Sequence, residues 1–329
     1  MRLLVLGGTQ HVGRAVVEAA LARGDEVVTV NRGSAGPDVP GVEARRADRR
    51  HAGALAQALG SDEFDQVVDT WSRAPVAVRD ASRLLSGRAG HYAYVSSRSV
   101  YSWPPAPGLD ETAPVVDADP ASTGRADYAA AKRGGELAVQ QEFDGPWLCA
   151  RAGLVLGPYE QIGRLPFWLQ RIAAGGRVPA PGPHDRPLQL IDARDLARWV
   201  LDHRPTGELN TVSRPGHTTI GALLDACVRV TGSDAELVWL DPEVVEASGV
   251  QPWTELPIWM PPTGEYAAMH DCDVASAYDR GLVCRPGEET VADTWAWLQR
   301  ESPPDQPADR PATGMDAAAE QRLWDAARA

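Results

Sequence analysis

The chain has 329 residues, 43% of them hydrophobic, and a formal net charge of −13, which allows one large α/β domain with a smaller appended lobe. No apolar run approaches the ~20 residues that cross a bilayer, and the 3–6 run is too short for a signal peptide and is needed as a strand; the acidic balance speaks against a nucleic-acid partner, whose phosphates are held by Lys and Arg. Cys149, Cys227, Cys272 and Cys284 form no Cys-x-x-Cys pair and read as reduced thiols of a cytoplasmic protein.

Residues 2–6 form a short, mostly apolar run, followed at once by Gly7-Gly8-Thr9-Gln10-His11-Val12-Gly13. Ala15, Val16, Val17, Ala19, Ala20 and Leu21 then recur at helical spacing up to Gly24, and residues 26–30 are a second β-branched run ending in Asn31-Arg32. Strand, glycine turn, helix and strand within about thirty residues is the pattern of a dinucleotide-binding βαβ unit. Gly7 permits the tight turn. Gly8 and Thr9 let the backbone approach a pyrophosphate at the helix N-terminus, where free N–H groups and the helix dipole favour negative charge. Gly13 lets the helix pack closely on the strand. Gln10 stands where the commoner Gly-x-x-Gly-x-x-Gly pattern has glycine, and the alternative reading is a βαβ unit that has lost its ligand.

After a Gly/Pro-rich loop at 33–41, residues 42–44 are expected as a third strand leading into Arg45-Arg46-Ala47-Asp48. Residues 55–59 read as a short helix, 64–69 as a fourth strand followed by Thr70-Trp71-Ser72, and 76–85 as a helix. A fifth strand at 91–96 runs into Ser97-Arg98-Ser99-Val100-Tyr101. Residues 103–123 read as a long acidic surface loop, 127–142 as a helix, and 147–151 as a sixth strand. Beyond it the alternation loosens. Helices are expected at 165–174, 192–202, 218–231 (capped by Thr218 or Thr219) and 290–300, with strands at 188–191, 207–212 and 237–240. The stretch 175–187 is turn-rich, 253–262 is rich in Trp and Pro, and a loose tail from Glu301 leads to a final helix at 315–328. Strands alternating with helices predict a Rossmann-type, doubly wound parallel sheet with a smaller C-terminal substrate lobe. The expected division is a Rossmann domain over 1–155, with segments near 188–212 returning to it, a lobe mainly over 156–300, and a tail over 301–329.

Tyr128 and Lys132 stand at i and i+4 on one helix face. An ammonium beside a phenol favours the phenolate, which makes a tyrosine usable as an acid or base nearer neutrality; a solvated helix pair is the plainer alternative. Ser96, Ser97 and Ser99 end a predicted parallel strand, the edge where open α/β sheets place ligands, and a hydroxyl there can hold a substrate oxygen against the tyrosine; simple turn serines are the alternative.

The glycine turn, Tyr94-Val-Ser-Ser-Arg-Ser-Val-Tyr101, Tyr128-x-x-x-Lys132 and Arg151-Ala-Gly-Leu-Val-Leu-Gly157-Pro158 occur in that order. Together they resemble the extended short-chain dehydrogenase/reductase superfamily of the NAD-dependent epimerase/dehydratase type, from Met1 to about Gly232. The Gly-Gly-Thr-x-x-x-Gly form and Asn31-Arg32-Gly33 are similar to the atypical branch that includes the chloroplast stem-loop-binding proteins. The resemblance implies Ser97 as the active-site serine, Tyr128 as the catalytic tyrosine, and Lys132 as the lysine that binds nicotinamide ribose and tunes Tyr128. It implies Gly7, Gly8, Thr9, Gln10, His11, Val12 and Gly13 as the pyrophosphate loop, Asp48 as the acid that meets adenine, and Thr70 and Trp71 as the loop beside the adenine ribose. Relatives that dehydrate nucleotide sugars carry Asp-Glu directly after the serine; Arg98-Ser99 here speaks against that reaction. Many relatives pair through two helices, which implies a homodimer.

An NAD site places an acid at the end of the second strand. Asn31 followed by Arg32 suits a 2′-phosphate, so NADP is expected, with NAD as the alternative. The reading is an NAD(P)-dependent oxidoreductase that interconverts a hydroxyl and a ketone of a small metabolite, with Tyr128 as acid/base. Open alternatives are an epimerase with retained cofactor acting on a sugar or sugar nucleotide, a cofactor-binding regulator without catalysis, and an RNA-binding protein. His270-Asp271-Cys272-Asp273 reads as a surface turn rather than a metal site, and Arg45-Arg46 with Arg49-Arg50 as a solvated helix start. Trp239, Trp253, Trp259, Trp295 and Trp297 fill a core or line a pocket, while Arg164, Arg171, Arg177 and Arg186 could bind an anion.

Overall fold

Strand β1 (Arg2–Leu6) has Leu3 to Leu6 buried on both faces, the pattern of a strand covered by helices on each side. The computed structural model describes all residues except 125, 126, 304, 305 and 307–310. After β1 come α1 (His11–Ala22), β2 (Glu26–Asn31), β3 (Glu43–Arg46), α2 (Ala54–Leu59), β4 (Gln66–Asp69), α3 (Val76–Leu85), β5 (Tyr92–Ser97), α4 (Tyr128–Glu142), β6 (Trp147–Ala152) and β7 (Leu154–Leu156). The later chain forms α5 (Arg164–Ala173), β8 (Arg177–Pro181), β9 (Pro187–Leu188), β10 (Leu190–Asp192), α6 (Ala193–His203), β11 (Gly207–Thr211), β12 (Thr218–Thr219), α7 (Ile220–Thr231), β13 (Glu236–Leu240), α8 (Pro242–Ala247), α9 (Ala275–Tyr278), α10 (Gly287–Leu298) and α11 (Ala317–Ala326).

The central sheet has seven parallel strands in the order β11-β6-β5-β4-β1-β2-β3. The order runs outward both ways from β1 and β4, so the connections leaving those strands diverge and open a crevice at their carboxyl ends. This is the doubly wound Rossmann arrangement expected from the alternation of strands and helices. One face packs Val16, Val17, Leu196 and Trp199 of α1 and α6; the other packs Val78, Leu85, Val139 and Phe143 from α3, α4 and the end of α4. The fifth and sixth strands extend one residue beyond the expected ends, and β11 joins β6 through Leu209↔Ala150.

A separate core gathers Trp168, Leu224, Trp259, Val291, Met315 and, from α11, Ala319 and Leu323. Trp259 and Trp297 are fully buried, while Trp239, Trp253 and Trp295 pack against this core, so the core reading of the tryptophans holds. Within the expected turn-rich stretch 175–187, residues Arg177–Pro181 form β8, paired in parallel with β13. Pro179 and Pro181 lack an N–H, which masked the strand in the sequence. The expected solvated helix start at Arg45–Arg50 is also overturned. Arg45 and Arg46 lie on β3, and each arginine has a carboxylate: Arg45 holds Asp62, Arg46 Asp38, Arg49 Asp69 and Arg50 Asp48. The loose-tail reading at 304, 305 and 307–310 lies outside the described residues. Among the described residues no helix is long and apolar enough to cross a membrane.

Candidate active site

The glycine turn connects β1 to α1. Gly7 has φ +101° and donates its N–H to the Val30 carbonyl at 3.1 Å. A Cβ on Gly13 would fall on the Gly7 carbonyl oxygen, so α1 reaches the turn only because residue 13 has no side chain. Gly8 is buried against Val17 and Thr29; Thr9, Gln10 and Val12 are half-buried around the turn. Gln10 is the N-cap of α1, yet its side chain makes no capping bond, and the first turn carries no acid. The N-terminal N–H groups of a twelve-residue helix are thereby left to an anion. These features fit the pyrophosphate of a dinucleotide. Burial lowers the pKa of the His11 ring to about 4, with the Leu156 carbonyl working the other way.

Thr70 and Trp71 follow β4 directly beneath this turn. Thr70 Oγ1 donates to the Leu6 carbonyl at 3.0 Å and to that of Gly7 at 3.3 Å. The backbone here is fixed from below by Asp69, which accepts Arg49 through both oxygens at 2.7 Å, Tyr92 Oη at 2.7 Å and the Trp71 N–H at 2.9 Å. Burial works against ionising Asp69, but the Arg49 guanidinium outweighs it and holds the carboxyl below its ordinary range.

Lys132 is 2% exposed. Its Nζ donates to the Trp71 carbonyl at 2.7 Å and to the Val95 carbonyl of β5 at 2.6 Å, and it stands 4.8 Å from the centre of the Tyr94 ring. The solvated helix pair considered from the sequence therefore does not describe the lysine. Tyr128 opens α4 one turn earlier, behind the Asp127 cap, and is 44% exposed. Ser97 ends β5; its Oγ accepts the Ser99 N–H and donates to Ser99 Oγ, both at 3.1 Å.

Glu136 extends the Tyr128–Lys132 spacing by another four residues, a stripe visible in the sequence. It is fully buried and accepts Ser96 Oγ at 2.7 Å, Arg133 at 2.8 Å and Arg151 at 3.0 Å. Arg151 also donates to Tyr101 Oη at 3.1 Å, which in turn donates to Asn210 at 2.8 Å. This network ties α4 to β5, β6 and β11 behind the serines.

At the end of β2, Asn31 donates to Asp38 at 2.9 Å and accepts the Gly33 N–H at 2.8 Å. Arg32 is exposed. Asp48 is held by Arg50, whose hydrogen bonds lower its pKa. Of the four arginines singled out as anion ligands, Arg171 binds Glu320 at 2.7 Å, Arg164 lies 3.6 Å from Glu160, and Arg177 covers Trp324. Arg186 donates only to the Tyr266 and Ala267 carbonyls among the described residues. The surface-turn reading of 270–273 is corrected: His270 is 7% and Cys272 0% exposed, because Gln189 takes the Cys272 backbone and its own N–H donates to His270 Nδ1 at 3.1 Å.

No curated protein matches the chain by sequence. Solved structures share its fold. The Bordetella bronchiseptica enzyme WbmH in complex with NAD+ is 18% identical, with a TM-score of 0.67, over 91% of this chain and 98% of that one. The Thermotoga maritima UDP-glucose 4-epimerase with UDP-glucose is 19% identical, with a TM-score of 0.66, over 91% and 99%. The Thermus thermophilus UDP-glucose 4-epimerase complex with NAD is 19% identical, with a TM-score of 0.64, over the same shares. The model of the NAD dependent epimerase/dehydratase family matches residues 3–208, and with the glycine turn, the serine-ended strand and the buried lysine in place, the chain belongs to that family of NAD-dependent enzymes, of the short-chain dehydrogenase/reductase type.

Proposed function

We propose that the protein interconverts a hydroxyl and a ketone on a small metabolite, with Tyr128 moving the hydroxyl proton, Ser97 holding the reacting oxygen, and Lys132 binding the ribose of the dinucleotide. The observation that carries this reading is a continuous line of contacts. Gly7 touches Thr70, Trp71 and Val95 share Lys132, and Ser97 lies two residues beyond Val95. This line supports a reading in which the dinucleotide turn, Lys132 and Ser97 serve one site at the sheet edge. Gly7, Gly8, Thr9, Gln10, His11, Val12 and Gly13 would form the cradle of the pyrophosphate, and Thr70, Trp71 and Asp48 would border the adenosine. The bound dinucleotide would supply the hydride acceptor or donor.

NADP(H) is the preferred cofactor in this proposal. Strand β2 ends without an acid, Arg32 makes no hydrogen bond among the described residues, and Arg46 runs along Gly33, where an added Cβ would meet its Nε at 2.9 Å. Two guanidiniums would thus border a 2′-phosphate bound beyond β2. Asp38 is the local counterweight, since it holds both Asn31 and Arg46.

The experiment is titration of wild type and Tyr128→Phe with NADPH and NADH, followed by an absorbance screen of small alcohols and ketones. NADPH binds about tenfold or more tightly than NADH. Tyr128→Phe keeps both affinities but loses turnover by about a hundredfold or more. Tighter NADH binding overturns the cofactor assignment; a fully active Tyr128→Phe overturns the mechanism.

Epimerisation is the second reading, favoured by the family and by the sugar-nucleotide epimerases that share the fold. The same residues would act twice, with the ketone re-reduced on its other face. It requires a dinucleotide that stays bound, so a dinucleotide mass retained in native mass spectrometry supports it, and a clean apoprotein that binds on titration supports the reductase.

A further inference from the structure

Most buried or half-buried arginines in this acidic chain have carboxylates: Arg49 has Asp69, Arg151 Glu136, Arg171 Glu320 and Arg285 Asp195. Arg98 is different. It directly follows Ser97, its Nε is sealed from solvent without an acceptor, and its side chain has no hydrogen-bond partner among the described residues. Arg186 shares the condition in part: among the described residues its buried Nε has no acceptor, and Nη2 reaches two backbone carbonyls, at 3.0 and 3.3 Å.

Arg186 meets the segment that carries His270 through the Tyr266 and Ala267 carbonyls, and Arg98, like Arg186, lies within electrostatic range of the His270 ring. Both act on it as positive charges; burial first, and then Arg98 and Arg186, lower its pKa to about 3. Its Nδ1 accepts the Gln189 N–H at 3.1 Å, so in the neutral ring the proton sits on Nε2, and that N–H is buried with no acceptor. The strap bearing His270 is held in place by Gln189 and by the Leu109↔Cys272 bridge. Three donors with no acceptor, two of them cationic, therefore lie in one corner beside the end of β5. Like charges kept together without an anion destabilise a fold.

We infer that this corner binds an oxyanion, a carboxylate or phosphate carried by the reacting part of the substrate, with Arg98 as the binding residue next to Ser97 and Arg186 as its second cation. The inference rests on the proposed oxidoreductase reading and narrows its substrate to an anionic hydroxy or keto compound. A planar guanidinium suits either anion through paired N–H groups. Because Arg98 spends no hydrogen bond on the protein, its removal relieves repulsion in the free enzyme and weakens the ligand, a combination that a structural arginine does not give.

The test uses the protein saturated with NADPH, titrated calorimetrically with inorganic phosphate, malonate and uridine diphosphate. Wild type binds phosphate or malonate, Arg98→Gln weakens that binding about tenfold or more, Arg98→Lys recovers part of it, and Arg98→Gln melts no lower than wild type without ligand. Binding of uridine diphosphate alone, unchanged in Arg98→Gln, overturns the inference in favour of an anion held away from the reacting carbon. So does the absence of binding by all three. Dinucleotide affinity, measured first with both NADPH and NADH, separates the cases: binding of neither by wild type removes the oxidoreductase reading itself, whereas intact dinucleotide binding with no response to Arg98 removes only the anion corner.

Discussion

Gly13 and Lys132 show how far single positions can be read before any contact is known. Gly13 was legible because its spacing from Gly7 has one physical meaning, a helix starting against a strand, and the Gly7 carbonyl occupies the space a Cβ would need. Gly13→Ala forces α1 or the turn to shift, and over-packing of this kind costs about 1–3 kcal/mol. The expected outcome is a lower urea midpoint together with weaker NADPH binding; a variant that binds NADPH as wild type does would place the dinucleotide elsewhere. For Lys132, spacing indicated a partner on the same helix, whereas the ammonium is also tied to carbonyls from two strands. Arg98, Arg49 and Arg186 stood out in the sequence, but nothing local said which of them would find a carboxylate. Whether an arginine is paired depends on chain segments dozens of residues away, which local sequence does not encode.

At the level of elements, α4 is held by charge as much as by apolar contact. Glu136 is fully buried between Arg151 of β6, Arg133 and Ser96. Removing one partner of a buried pair leaves an uncompensated charge and typically costs about 3–5 kcal/mol, whereas replacing both with apolar groups restores much of the loss. Arg151→Met is therefore expected to lower stability by about 3 kcal/mol or more in urea unfolding, and Arg151→Met with Glu136→Leu to recover part of it. Failure of the double variant to recover would assign the loss to packing of Arg151 against Tyr101 rather than to charge. Strands β1, β2 and β4 were legible because short runs of Val and Leu have few other uses. Strand β8 was not, because its prolines read as turns. Its pairing with β13, nearly sixty residues later, settles its state.

For the whole molecule, acid is the revealing variable. His11, His91 and His270 all have pKa values lowered mainly by burial. An ordinary histidine takes up a proton near pH 6.5 in the unfolded chain, but these remain neutral in the fold. Between that value and the lowered one the unfolded state binds more protons, so stability falls as pH falls and levels off only below the folded value. For His270, whose folded value is about 3, the loss by pH 5 is roughly 2 kcal/mol. Urea midpoints at pH 7.5 and 5 should differ accordingly, and His270→Gln should flatten the slope. An unchanged slope in that variant would place the proton uptake at other groups.

By itself the sequence determined the local units: the βαβ start with its glycine turn, the apolar strands, the serine-ended β5, and the Tyr128–Lys132 helix. Each follows from periodicity and backbone sterics acting over a few residues. Only the tertiary structure decided which charges meet. It buried Arg49 on Asp69 and Glu136 under Arg151, drew His270 and Cys272 inward from an apparent surface turn, seated α11 on the separate core, and left Arg98 and Arg186 without carboxylates among the described residues. Those outcomes depend on burial and long-range pairing, where a charge is stable only if a distant segment supplies its partner.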